Sequence, residues 1–219
     1  MTTILFILAG FIQLFFLFVI IKQYRQSGSV YLAFPMLIVG ALVADNWIVG
    51  FGKFIGEGSL LMFLNSIRFI THALFTSFGM IFAFGILKRI GVGFAQKKSV
   101  HIAVCIFAVL ATLLGIYMDV YRLELGVVAE FGTLRYKNIG LGIPPIPAII
   151  TIIFFIVSGI IIWIKTKSPW MFLGSLVMFI LAPLGFRIPI LGNIGEIAFV
   201  GAMIFGEKTA FDNKKLSFK

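Results

Sequence analysis

The feature that most limits this chain is a run of apolar residues too long for an ordinary core helix. Ile4–Ile21 has Gln13 as its only strongly polar side chain. A helix of about 18 residues, at ~1.5 Å per residue, nearly spans the ~30 Å hydrocarbon core of a bilayer. Comparable runs recur at about 31–50, 60–87, 99–118, 148–164, 169–186 and 194–205. The pattern predicts an all-α integral membrane protein, a seven-transmembrane-helix bundle built as a single membrane domain over residues 1–219. A membrane β-barrel would show alternating segments of about ten residues, whereas these runs are unbroken. Only 12% of the residues are charged and 61% are hydrophobic, against about a quarter charged in soluble domains. No polar stretch is long enough to bury a core of its own. The first run reads as a retained span, because no Lys or Arg precedes it and no small-x-small cleavage site follows.

The net charge of +10 suggests nucleic acid at first sight. The basic residues, however, fall at regular intervals in short loops between apolar runs, which is a topology signal and implies no nucleic-acid partner. The loops after the first, third and fifth runs, with the C-terminal tail, hold most of the Lys and Arg, including Lys22, Arg25, Lys88, Arg89, Lys165 and Lys219. The positive-inside rule then puts the N-terminus outside and the C-terminus in the cytoplasm, as in a bacterial inner (cytoplasmic) membrane. Trp47, Trp163 and Trp170 lie near run ends and read as interface anchors. His101, beside Lys97 and Lys98, reads as a solvated cap.

Against this apolar background the stretch Asp45–Thr76 stands out. It joins the second and third runs through a turn expected around Gly50, Gly52, Gly56 and Gly58. Asn65, Arg68, His72 and Thr76 follow at intervals of three, four and four, which is one face of a helix. Asp45 and Asn46 lie towards the end of the second run, Arg187 closes the sixth, Pro189, Gly192 and Asn193 are expected to turn the chain into the seventh, and Glu196 lies at the start of that run. All would meet in the outer half of the bilayer, where an ionisable side chain is costly and marks a functional site by default. Asp45, His72 and Glu196 are the candidate acid–base groups. Asn46, Asn65, Arg68, Arg187 and Asn193 are the candidate substrate contacts. No His or Cys spacing supports a metal, and no cofactor motif is present. Asn65-x-x-Arg68 and Asn193-x-x-Glu196 would correspond if spans 1–3 and 5–7 are parallel repeats.

The stretch D-N-W-I-V-G-F-G-K-F-I-G-E-G with L-N-S-I-R-F-I-T-H-A-L-F-T resembles small multi-spanning membrane proteins of bacteria and plastids over about Asp45–Gly93. That resemblance implies no activity. In architecture alone the chain is similar to the integral-membrane terpene cyclases of meroterpenoid pathways, small seven-span proteins with two membrane carboxylates acting as acids. Asp45 and Glu196 fall at loosely comparable places. The function expected is an acid–base enzyme working on a membrane lipid or isoprenoid-like ligand. A small proton-coupled transporter and a structural or assembly protein without catalysis stand as alternatives.

The connection Asp119–Pro147 is longer than ordinary loops yet rich in apolar residues. Arg122–Leu125 and Thr133–Lys137 alternate polar with apolar, as half-buried strands do. The expectation is a hairpin lid over the outer mouth, with Glu130 or Arg135 near Arg187. A solvated loop is the alternative.

Overall fold

A computed structural model describes residues 2–140 and 144–216. Lys219 and residues 141–143 of the long connection lie outside the described residues. The chain is a bundle of helices: α1 (Thr2–Ser27), α2 (Ala33–Ile55), α3 (Ser59–Phe75), α4 (Gly79–Arg89), α5 (Lys98–Ile116), α6 (Ile146–Thr166), α7 (Trp170–Leu184) and α8 (Pro189–Leu216). A single 3₁₀ turn, Thr76–Phe78, links α3 to α4 within one rod. Among the described residues, six helical rods are long and apolar enough to cross a membrane. α7 is apolar but shorter.

Neighbouring helices meet where glycine removes the side chain between them. Gly10 lies against Trp47 and Gly50 against Ile7, so α1 and α2 run antiparallel. Gly174 against Ala198 and Gly195 against Leu181 show the same for α7 and α8. Trp47 is drawn into the α1–α2 seam, edge-on to Phe11 at 5.4 Å. Half-buried His101 is not a solvated cap, for its ring faces Phe84 at 5.5 Å. The main core fills the half of the bundle remote from the connection, with Phe82, Phe84, Ile86, Phe155, Ile162 and Met203 sealed from solvent. At that end Arg89 forms a two-pronged ion pair with Glu207, which is 1% exposed. Phe15, Phe18, Phe63, Leu110 and Ile164 point outward, as lipid-facing side chains do.

Three boundaries differ from the sequence expectation. α2 runs through Gly50 and Gly52 to Ile55, so the turn is confined to Gly56–Gly58, where positive φ values of 83° and 152° fall. Pro189, Gly192 and Asn193 lie in α8 rather than in a turn, and Pro at the first position of a helix loses no bond. The expected polar tail continues α8 to Leu216.

The long connection forms an antiparallel hairpin, β1 (Leu125–Glu130) and β2 (Thr133–Asn138), in register from Leu125↔Asn138 to Glu130↔Thr133. Its first strand begins three residues later than the alternation suggested. Phe131 and Gly132 make the two-residue turn, both with positive φ (51° and 78°), matching the twist of the strands. The hairpin lies on the bundle. Thr3 Oγ1 donates to the Gly132 carbonyl at 2.7 Å, and the Tyr136 N–H donates to Asn65 Oδ1 at 3.3 Å. β2 is the buried strand, with Thr133, Arg135 and Tyr136 all sealed.

Candidate functional site

The site is organised by the adjacent residues Asp45 and Asn46. Consecutive side chains on a helix diverge by about 100°. The pair therefore addresses two different neighbours from one point on α2. Asp45 faces α3, where Arg68 Nε donates to its Oδ1 at 2.5 Å. Asn46 faces α8, where Asn193 Nδ2 donates to its Oδ1 at 2.9 Å.

Each branch is extended by a partner one turn away. Arg68 Nη1 donates to Asn65 Oδ1 at 2.6 Å, and Asn65 Nδ2 donates to the Leu61 carbonyl at 2.7 Å. On the other side Asn193 Nδ2 also donates to Glu196 Oε2 at 3.3 Å. Asn46 Nδ2 donates to the Leu42 carbonyl at 2.8 Å. Asn65-x-x-Arg68 and Asn193-x-x-Glu196 thus play matching parts, each a hydrogen-bonded i, i+3 pair held by α2.

Beside this network lies a cleft containing about 590 Å³ of atom-free space, its open mouth included. Ile38, Leu42, Phe75, Ile152, Met178 and Phe199 give it apolar walls. Asp45, Arg68, His72 and Glu196 bring the ionisable groups to it. Arg68 lies nine residues into α3 and His72 thirteen, or roughly 14 and 20 Å at 1.5 Å per residue, so both lie well inside the rod. Thr71, Thr76 and Thr151 also line the cleft, with hydroxyls that donate to the carbonyls of Ile67, His72 and Pro147. Spending their protons on their own helices leaves lone pairs for the cleft.

Four expected site residues therefore share one cleft. Asn46 and Asn65 are 0% exposed and satisfied inside the protein, and buried Asn193 joins them, so these amides set the positions of the charged groups. Arg187 does not join: it is exposed beyond the end of α7, and its side chain has no hydrogen bond or ion pair among the described residues. Asp119 is a possible neighbour of the site by its place in the fold. It lies in a π-helical turn, Tyr117–Tyr121, at the end of α5, within electrostatic reach of His72.

Arg135 approaches the group from the hairpin rather than from the Arg187 rim. Burial pushes its guanidinium below the usual arginine range, and the nearby charge of Arg68 acts in the same direction. It stays charged nonetheless. Glu130, by contrast, is exposed and bonded to Lys137 at 2.9 Å, which holds its carboxyl below the usual glutamate range. Arg135 was legible as part of an alternating strand. Its proximity to Arg68 depends on the way β2 is seated and had no local signal. The chain matches no protein-family model and no curated protein.

Proposed function

We propose that the protein is a membrane-embedded acid–base enzyme that takes a lipid or isoprenoid substrate from the bilayer into this cleft. The observation that carries the reading is the unlike setting of two carboxyl groups on one apolar cleft. Asp45 is tied to a guanidinium, whereas Glu196 is bonded to the Asn193 amide and, among the described residues, has no cation within ion-pair distance. Pairs of titratable groups in contrasting environments are how acid and base roles are divided. Asp45 then acts as a fixed anion that positions Arg68. Glu196 donates a proton to the substrate, and His72 removes one from the cation that results, so the proton count is conserved. The likeness in architecture to terpene cyclases fits this assignment.

The bundle crosses the membrane seven times in this reading. α7 at 15 residues is completed by the apolar Phe186 and Ile188 beyond it. The N-terminus lies outside. The Lys165 side chain donates to the Gly91 carbonyl at 2.5 Å, so the basic loops gather at one end, which the positive-inside rule makes cytoplasmic. Labelling of a Gly93→Cys variant by an impermeant thiol reagent in intact cells would overturn that orientation.

A transporter is the second reading, favoured by the 3₁₀ break at Thr76–Phe78, about halfway along the rod Ser59–Arg89. One experiment separates the two. Lipids extracted from the purified protein are identified by mass spectrometry, then incubated with wild type and Glu196→Gln. Enrichment of one lipid, converted by wild type and not by the variant, is expected. Uptake of protons into proteoliposomes without any conversion would replace the enzyme by the transporter.

A further inference from the structure

The hairpin carries one charge to the site that the bonded network leaves unanswered. Arg135 is 7% exposed, and its Nε is sealed from solvent without a hydrogen-bond partner. Among the described residues its guanidinium forms no hydrogen bond and no ion pair. Its chain neighbour Tyr136 donates its N–H to Asn65 Oδ1, the same oxygen that receives Arg68 Nη1. One amide oxygen therefore joins β2 to Arg68, and the two guanidinium groups lie within electrostatic reach of each other. The carboxylates that could answer Arg135 are engaged elsewhere: Asp45 is bonded to Arg68, and Glu130 to Lys137.

An arginine whose Nε is sealed from water without an acceptor is costly, and a second arginine close by adds to the cost. The guanidinium is a planar fork built for oxyanions. One such fork satisfies a carboxylate, as Arg68 does with Asp45. Two guanidinium groups in electrostatic reach of each other suit a group with more acceptor oxygens, and a tetrahedral phosphate has them.

We propose that Arg135 and Arg68 together bind the phosphate of an amphipathic molecule, with its apolar chain in the cleft between Phe75, Ile152 and Phe199. This rests on the reading of the cleft as a lipid site and makes the ligand class a phosphate-bearing lipid instead of a neutral one. The hairpin then serves as the headgroup clamp: it supplies the second cation and shields the phosphate from bulk water.

The test uses the full chain in detergent micelles, titrated with dioctanoyl phosphatidic acid, with neutral dioctanoylglycerol and with inorganic phosphate, and read by tryptophan fluorescence. Wild type should prefer phosphatidic acid over the glycerol lipid by about tenfold or more, the value of charge-assisted bonds to a buried group. Arg135→Gln should abolish that preference, whereas Arg135→Lys should keep part of it and Lys137→Gln all of it. If inorganic phosphate binds as well as phosphatidic acid, the source is a free phosphate and the clamp stands. Should Arg135→Gln fail to fold, Arg135→Lys decides: a reduced preference supports the clamp and an undiminished one overturns it. Equal affinity of wild type for both lipids overturns the clamp and leaves the cleft as a neutral-lipid site; binding of neither lipid removes the cleft reading as well. A preference that survives Arg135→Gln also overturns it.

Discussion

Gly52→Ala tests how the hairpin is seated. An alanine Cβ at this position would lie 2.0 Å from the Leu134 carbonyl oxygen and 3.3 Å from Leu61 Cδ1. The second contact is tolerable, but the first is with backbone. Carbon and carbonyl oxygen rest no closer than about 3.3 Å, so β2 must retreat by roughly 1.3 Å. The Tyr136 N–H to Asn65 bond is already 3.3 Å long and would be lost at that displacement. Forced overpacking of this kind costs about 1–3 kcal/mol. Few bonds hold the hairpin to the bundle, so the cost should appear as local opening and not as loss of the whole fold. Amide exchange over Leu125–Asn138 should then quicken by about 5- to 150-fold at constant temperature. Gly40→Ala is the matched control, since it lies in the same helix with open space around its missing Cβ. Both substitutions raise helix propensity by up to about 1 kcal/mol, so the difference between them isolates the contact. Equal exchange in the two variants would refute the seating of β2 on α2.

Other predictions follow from the ion pairs. Arg68→Leu should lower folded yield well below Lys53→Leu, because it strands Asp45; losing one partner of a buried pair costs about 3–5 kcal/mol, at the low end here since the two side chains are 15% and 25% exposed. Asp45→Asn added to Arg68→Leu should recover part of the loss, and strictly additive melting shifts would count against the pairing. Arg89→Gln should destabilise at least as much, for Glu207 is more deeply buried than Asp45; an unchanged melting temperature in detergent would contradict that burial. The Glu130–Lys137 bond contributes stability above the ordinary glutamate range, because its folded carboxyl titrates lower. That contribution fades as pH falls through the folded value. Acid-induced exchange in the hairpin should therefore lose this component in Lys137→Gln, and an identical acid profile would show that the pair is idle.

Much of the bundle was legible because lipid leaves only long apolar helices as solutions. The face carrying Asn65, Arg68 and His72 was legible too, since its spacing is local to one helix. Partner choice was not. That Asp45 takes Arg68 while Asn46 takes Asn193 depends on α2 standing between α3 and α8, which no short-range pattern encodes. The glycines at 50 and 52 looked like turn residues, yet they are helical, because glycine serves close approach as readily as flexibility. Arg187 was misplaced because the end of α7 turns outward, and α8 begins before the expected loop is over. Arg135 lies 67 residues beyond Arg68 in the numbering, and only the register of a hairpin brings them near.

The ion pair of Arg89 with Glu207 bears on how the chain is made. Its members are 118 residues apart, whereas Asp45 and Arg68 are separated by 23. The Asp45–Arg68 pair can close as soon as α2 and α3 have left the ribosome. Arg89 must wait through the synthesis of four further helices before its carboxylate arrives on the last. Until then the half-built bundle carries Arg89 without its carboxylate. α8 is the helix that completes the bundle, and truncations that remove Glu207 should lower folded yield even though every earlier helix is intact.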